Sequence, residues 1–192
     1  MKKYILIAGV NGAGKSTLFH VLDELSDMLR VNTDEIVKQF GDWNNKSDVF
    51  KAGKMAVKMI DDYLAKGITF NQETTLCGNS IIKNIEKAKK LGYFIELHYV
   101  GVDNVNIAKR RVAHRVSVGG HGIPEKDIER RYIETFKNLN KIIFDCDRVY
   151  FYDNTKIFER FAIVEKGNVI TLLENIPDWF GNVKCNLFER RV

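Results

Sequence analysis

The chain has 192 residues, of which 45% are hydrophobic, enough to build one full core. With 29% charged residues and only 2 prolines, disordered and collagen-like classes are excluded. Lysine plus arginine outnumber aspartate plus glutamate 30 to 25, and the net charge of +5 favours anionic partners such as nucleotides, nucleotide sugars or RNA without selecting among them. No apolar run reaches the ~18 residues of a membrane span. The run Tyr4–Ala8 is too short for a signal peptide, so a cytoplasmic protein with no membrane partner is expected. Cys77, Cys146 and Cys185 lie far apart and form no CxxC pair, which argues against zinc and against a disulfide framework.

Tyr4–Ala8 reads as a buried parallel strand, followed by a glycine-rich turn over Gly9–Gly14. A helix is predicted over Lys15–Met28, with Leu18, Val21, Leu22 and Leu25 on its inner face. Leu29–Asn32 is a short strand ending near Asp34. Asp48 is placed as the N-cap of a helix that runs through Lys66 and stops at Gly67, with Met55, Ile60 and Leu64 inward. Ile68–Glu73 is a third strand, Ser80–Leu91 a helix closed by Gly92, and Phe94–Val100 a fourth strand. Asp103 is placed as the cap of a helix to about Val116, and Ser117–Ile123, with three glycines, as a mobile loop. Pro124 opens a long helix striped by Ile128, Tyr132, Phe136, Leu139 and Ile143. Arg148–Tyr152 is a fifth strand, and Arg160–Glu165 and Asn168–Leu173 flank Lys166-Gly167 as a β-hairpin.

Strands and helices alternate five times. That pattern predicts a three-layer α/β fold with a five-stranded parallel sheet between two helical layers. A single domain over 1–192 is expected, with a core of 1–155 and a small C-terminal hairpin extension over 156–192.

Residues Gly9-Val10-Asn11-Gly12-Ala13-Gly14-Lys15-Ser16 match the P-loop pattern GxxxxGK[ST], between a predicted strand and a predicted helix. A chance match in a chain of this length is on the order of 1%. In such a loop the glycines let backbone N–H groups wrap a phosphate, and the helix N-terminus adds positive potential. Gly9, Asn11, Gly12, Ala13, Gly14, Lys15, Ser16 and Thr17 are therefore the candidate nucleotide-binding residues. Lys15 is expected to reach the β- and γ-phosphates, and Ser16 to place its hydroxyl on Mg²⁺. A purely steric strand-to-helix turn needs neither Lys15 nor Ser16.

Ser117-Val118-Gly119-Gly120-His121 faintly resembles the transporter signature LSGGQ, but a charged helix follows instead of a strand ending in Asp-Glu. No NKxD guanine motif is present. A kinase for a small acceptor explains the remaining polar residues better. Asp34 and Glu73 stand at strand ends, where ligands bind in a parallel sheet. Asp34 suits a base toward an acceptor hydroxyl, or an N-cap. Glu73 suits an acceptor contact, or a turn carboxylate. Arg111 and Arg115, with Arg131 next, flank the glycine loop and suit a lid that brings cations over a migrating phosphoryl group. His20, His98 and His114 lack metal-ligand spacing, and His121 in the lid loop suits a phosphate contact or a turn equally. Aromatic and basic residues are not interleaved along the sequence as in an RNA-binding platform, so nucleic acid is not an expected partner.

Together these motifs resemble the zeta-toxin family of P-loop kinases, most closely its compact branch. The resemblance is carried by Gly9–Ser16, Asn32-Thr33-Asp34-Glu35-Ile36, Glu73-Thr74-Thr75-Leu76 and Arg111-Val112-Ala113-His114-Arg115-Val116. It continues through Gly119-Gly120-His121-Gly122-Ile123-Pro124-Glu125, Arg130-Arg131-Tyr132 and Tyr152-Asp153-Asn154-Thr155. It implies a nucleoside-monophosphate-kinase-like sheet, and ATP (or GTP) as donor with Mg²⁺. Toxin members phosphorylate a sugar hydroxyl of UDP-N-acetylglucosamine, and a separate antitoxin protein is the implied partner. By position, Lys15 and Ser16 would hold phosphate and metal, and Asp34 would be the general base. Glu73 and Thr75 would bind the acceptor, Arg111 the transferred phosphate, and Asn154 would lie near the adenine. The chain departs from the toxin pattern at Ala56-Val57-Lys58, where an acceptor-binding glutamate is missing, at Cys77 and at His121. Two other functions fit the same loop: a nucleotide-dependent switch without an acceptor, and a nucleotide or polynucleotide-end kinase.

Overall fold

The computed structural model describes residues 1–183; residues 184–192 of the predicted extension, with Cys185, lie outside them. The first strand, β1 (Lys3–Ala8), is apolar from Tyr4 onward because helices cover both of its faces. Its side chains alternate between two cores: Tyr4, Leu6 and Ala8 enter one, Ile5 and Ile7 the other. The chain then passes through α1 (Lys15–Val21), α2 (Asp23–Ser26), β2 (Leu29–Val31), α3 (Thr33–Lys38), α4 (Lys46–Lys66) and β3 (Phe70–Thr74). Next come α5 (Ser80–Lys90), β4 (Phe94–Gly101), α6 (Val105–Ser117), α7 (Glu125–Ile142) and β5 (Arg148–Asp153). It ends with β6 (Glu159–Glu165), β7 (Asn168–Leu172) and a 3₁₀ turn over Asp178–Asn182.

The strand order is β2-β3-β1-β4-β5-β6-β7, parallel through β5 and antiparallel beyond it. The sheet thus has seven strands rather than five. The predicted hairpin exists, but it continues the sheet: β6 pairs with β5, and Phe161, Ala162 and Val164 share a core with Phe151, Trp179 and Phe180. One face is covered by α3, α4, α5 and the C-terminal half of α7, the other by α1, α2 and α6. Because the chain runs outward from β1 to β2 and then returns to the other side at β4, the carboxyl end of β1 lies at a topological switch point.

Local boundaries differ from expectation where a distant contact intervenes. The helix predicted over 15–28 breaks at Leu22, whose backbone is extended. Buried Asn71 of β3 donates to Leu25 O at 3.2 Å and pins α2, leaving Val21 exposed rather than inward. Asn45, not Asp48, caps α4, while Asp48 accepts the Asp42 N–H at 3.1 Å. Asn104, not Asp103, caps α6. Met55 faces solvent, and Ala52, Ala56, Ile60 and Leu64 form the inner stripe of α4. Among the described residues, Cys77 and Cys146 are free thiols, and no helix is long and apolar enough to cross a membrane.

Candidate active site

The loop after β1 and the first turn of α1 form the floor of a cleft of about 650 Å³. Asn11, Gly12, Gly14, Lys15, Ser16 and Thr17 line it. Gly14 precedes α1 in the left-handed region (φ 110°), and a side chain there would strike the Asn154 amide. That amide donates to Ala13 O at 2.7 Å and so ties the end of β5 to the loop. Gly9 and Ala13 are loop residues that do not reach the cleft wall. Lys15 is buried, and its Nζ donates to Val10 O at 3.2 Å and lies 3.9 Å from Glu73. Burial lowers its pKa, against the opposing pull of Glu73 and Asp34.

Two arginines of α6 roof the cleft. Arg111 donates to Thr155 O at 3.5 Å, and Arg115 Nε donates to the His121 carbonyl at 2.8 Å. Arg111 Nη1 and Arg115 Nη2 are buried without a hydrogen-bond partner among the described residues. Unpaired buried donors are costly unless an acceptor arrives. Arg131 stands off the wall and donates to Asn11 Oδ1 at 2.9 Å, so it braces the phosphate loop. Gly119, Gly120 and His121 of the lid loop line the cleft. Burial lowers the His121 pKa against the opposing pull of Asp34, with Arg115 and Arg131 adding to the lowering.

The side opposite the roof comes from β2, β3 and α3. Asn32, rather than Asp34, caps α3, accepting the Asp34 N–H at 2.9 Å. This leaves the Asp34 carboxylate on the cleft wall with no hydrogen bond or ion pair among the described residues. Glu73 is held by Arg30 at 2.6 Å and by Asn32 Nδ2 at 3.1 Å. Arg30 in turn lies over the Phe19 ring, 3.5 Å from its centroid. Thr75 is not on the cleft wall.

Sequence reasoning missed Asn32, Glu35, Lys38 and Trp43, which also line the cleft. Trp43 stacks on His121 with ring centroids 5.0 Å apart, joining the α3–α4 connection to the lid loop. A tryptophan between two short polar stretches was the available signal. A second cavity of about 620 Å³ shares Arg111 and is lined by Ile107, Arg110, His114, Thr155 and Lys156.

A phosphate loop at the switch point of a 2-3-1-4-5 parallel sheet, roofed by arginines, defines the P-loop kinase-like class of α/β proteins. The zeta-toxin family model matches residues 1–172, and the chain belongs to that family. It is 35% identical over 130 residues to an uncharacterized protein of Haemophilus influenzae, covering 68% of this chain and 92% of that protein. The fold is similar to that of the AvrRxo1-ORF1:AvrRxo1-ORF2 complex solved with sulphate ions, with a TM-score of 0.70 at 12% identity. That match covers 89% of this chain and 61% of the larger one. It is also similar to a chain of the PezAT chromosomal toxin-antitoxin system of Streptococcus pneumoniae, with a TM-score of 0.61 at 16% identity, covering 83% of this chain and 70% of the other.

Proposed function

We propose that the protein is an ATP-dependent phosphotransferase that moves the γ-phosphoryl group to a hydroxyl. The observation that carries this reading is the pair of unpartnered, buried guanidinium nitrogens of Arg111 and Arg115 on the wall of the cleft that holds Lys15. A triphosphate satisfies all three cations at once. The glycine cradle and the orphaned donors fit ATP, and the second cavity, beside Thr155, takes its base.

Lys15 turns from Val10 O to the phosphates. Arg111 and Arg115 meet the charge on the migrating group, which is the main source of rate in such a site. Asp34 accepts the acceptor's proton, and Glu73, held in place by Arg30 and Asn32, orients the acceptor. The Ser16 hydroxyl, exposed at the first turn of α1 on the cleft wall, would hold Mg²⁺, which would supply charge neutralisation to the phosphates. Arg131 acts through Asn11, and Thr75 stands apart from the acceptor.

Lys38 on the cleft wall has no carboxylate partner among the described residues, which favours an acceptor that carries its own phosphate. A nucleotide sugar such as UDP-N-acetylglucosamine, as the family implies, and a nucleotide or polynucleotide end share that chemistry. A separate antitoxin is the proposed protein partner, in line with the PezAT relative. The test is transfer from γ-labelled ATP with Mg²⁺ to a panel containing these acceptors. Label on any of them supports the reading, and release of free phosphate alone supports a nucleotide switch instead.

A further inference from the structure

The connection from α3 to α4 and the first turns of α4 set lysines beside aromatic rings. Lys38 Nζ lies 5.5 Å from the Trp43 ring centroid, Lys51 Nζ 4.6 Å from that of Phe40, and Lys54 Nζ 4.5 Å from that of Phe50. Phe50 is 65% exposed and Phe40 37%. Lys38, Lys46, Lys51, Lys54 and Lys58 form no ion pair among the described residues. The nearby carboxylates are engaged elsewhere: Glu35 with Arg30, Asp42 with the Asn44 N–H, and Asp48 with the Asp42 N–H. Lys38 and Trp43 are also walls of the cleft. Taken in chain order, these rings and unpaired lysines form a strip whose first pair, Lys38 and Trp43, stands in the cleft and whose later members lie on the connection and the N-terminal half of α4.

We propose that this strip seats a single-stranded polynucleotide and that its terminal hydroxyl is the acceptor in the cleft. The inference rests on the kinase reading above and names its acceptor class. Bases stack on exposed rings whatever their sequence, and lysines beside the rings track the phosphates. A small nucleotide sugar uses Lys38 and Trp43 but leaves Phe40, Phe50, Lys51 and Lys54 without a purpose. In the step itself the terminal hydroxyl oxygen bonds to the γ-phosphorus as the bond from that phosphorus to the β–γ bridging oxygen breaks. ADP leaves, and the hydroxyl proton passes to Asp34.

The test uses the full chain and an RNA of about 12 nucleotides, internally labelled with a fluorophore and free at both hydroxyl ends. Anisotropy is read with and without Phe50→Ala/Lys54→Ala, with ATP affinity as the check on folding, and transfer from γ-labelled ATP is read in parallel. The expected result is binding with a log–log salt slope of about −2 for three neutralised phosphates. The double variant should weaken it about tenfold or more, and label should appear on the RNA. Equal binding by the variant, or equal competition by poly-L-glutamate, overturns the strip as a nucleic-acid surface. Label on UDP-N-acetylglucosamine but not on RNA overturns this acceptor and leaves the kinase reading standing. Absence of label on every acceptor removes the kinase reading, and this inference with it.

Discussion

The Lys15 ammonium stands 3.9 Å from the Glu73 carboxylate across the floor of the cleft. Glu73 is the looser of Lys15's neighbours, because it is already held more closely by Arg30 at 2.6 Å. In the proposed reaction, nucleotide draws Lys15 away from Glu73. Replacing Glu73 with Gln should tighten ATP binding severalfold by removing that competition. The same change leaves Arg30, with only 10% of its side chain exposed, with the half-exposed Glu35 at 3.4 Å as its remaining counter-charge. The variant should therefore lose about 2–3 kcal/mol of stability. Calorimetric titration and denaturant unfolding measure the two effects separately.

Burial of the Lys15 charge costs the empty protein stability. Lys15→Met should raise the stability of the nucleotide-free protein by about 1–2 kcal/mol while abolishing ATP binding. Glu73 keeps Arg30 and Asn32 in that variant, so no carboxylate is stranded. The pH dependence has a fixed sign. The folded protein holds its Lys15 proton less tightly than the unfolded chain, whose value is near 10.5. Native stability attributable to this group therefore rises as pH climbs from the lowered value toward 10.5, and the gap between wild type and Lys15→Met should narrow there. Melting curves across the alkaline range test this.

Arg111 Nη1 and Arg115 Nη2 are buried donors with no partner among the described residues. Replacing either with Ala should slow phosphoryl transfer by about 10²–10³-fold. Arg115→Ala should cost more in transfer than in ATP affinity, because its Nε also holds the lid at the His121 carbonyl. Single-turnover transfer set against ATP affinity separates the two contributions.

Beneath the site, buried Glu96 accepts from Lys3 at 3.0 Å and pairs with His98 at 2.9 Å. Burial raises the Glu96 pKa, but the His98 and Lys3 contacts together outweigh it and leave the value below its ordinary 4.5. The carboxylate's contribution is thus fully present above about 4.5 and is lost as pH falls through the lowered value. Glu96→Gln should destabilise the protein by about 2–4 kcal/mol at neutral pH and flatten its acid-unfolding profile. Thermal melts between neutral and acid pH measure both.

Much of the donor half was legible in the chain. The run Tyr4–Ala8, the loop to Ser16 and the alternation of strand and helix depend on local periodicity and spacing, and the structure keeps them. Elements decided by distant contacts were not legible. Leu22 breaks a regular helical pattern because Asn71 of β3, far along the chain, grips Leu25 O. The hairpin looked like an appendage because its pairing with β5 is a tertiary event. The acceptor side was the least readable part. Asp34 and Glu73 were found at strand ends, but Arg30 and Trp43 meet the cleft only through β2–β3 pairing and the lid stack. Lysines and aromatic rings do alternate along the sequence from Lys38 to Lys54, but only the folded α3–α4 connection brings Lys38 and Trp43 to the cleft wall.

The central claim is that this cleft transfers phosphoryl groups, with Asp34 serving the acceptor and not the nucleotide. Asp34→Asn tests it most directly, with ATP affinity and transfer from γ-labelled ATP measured on the same sample. The account predicts unchanged ATP affinity and a loss of transfer of about 10²-fold or more. Transfer or hydrolysis at the wild-type rate in Asp34→Asn would contradict it.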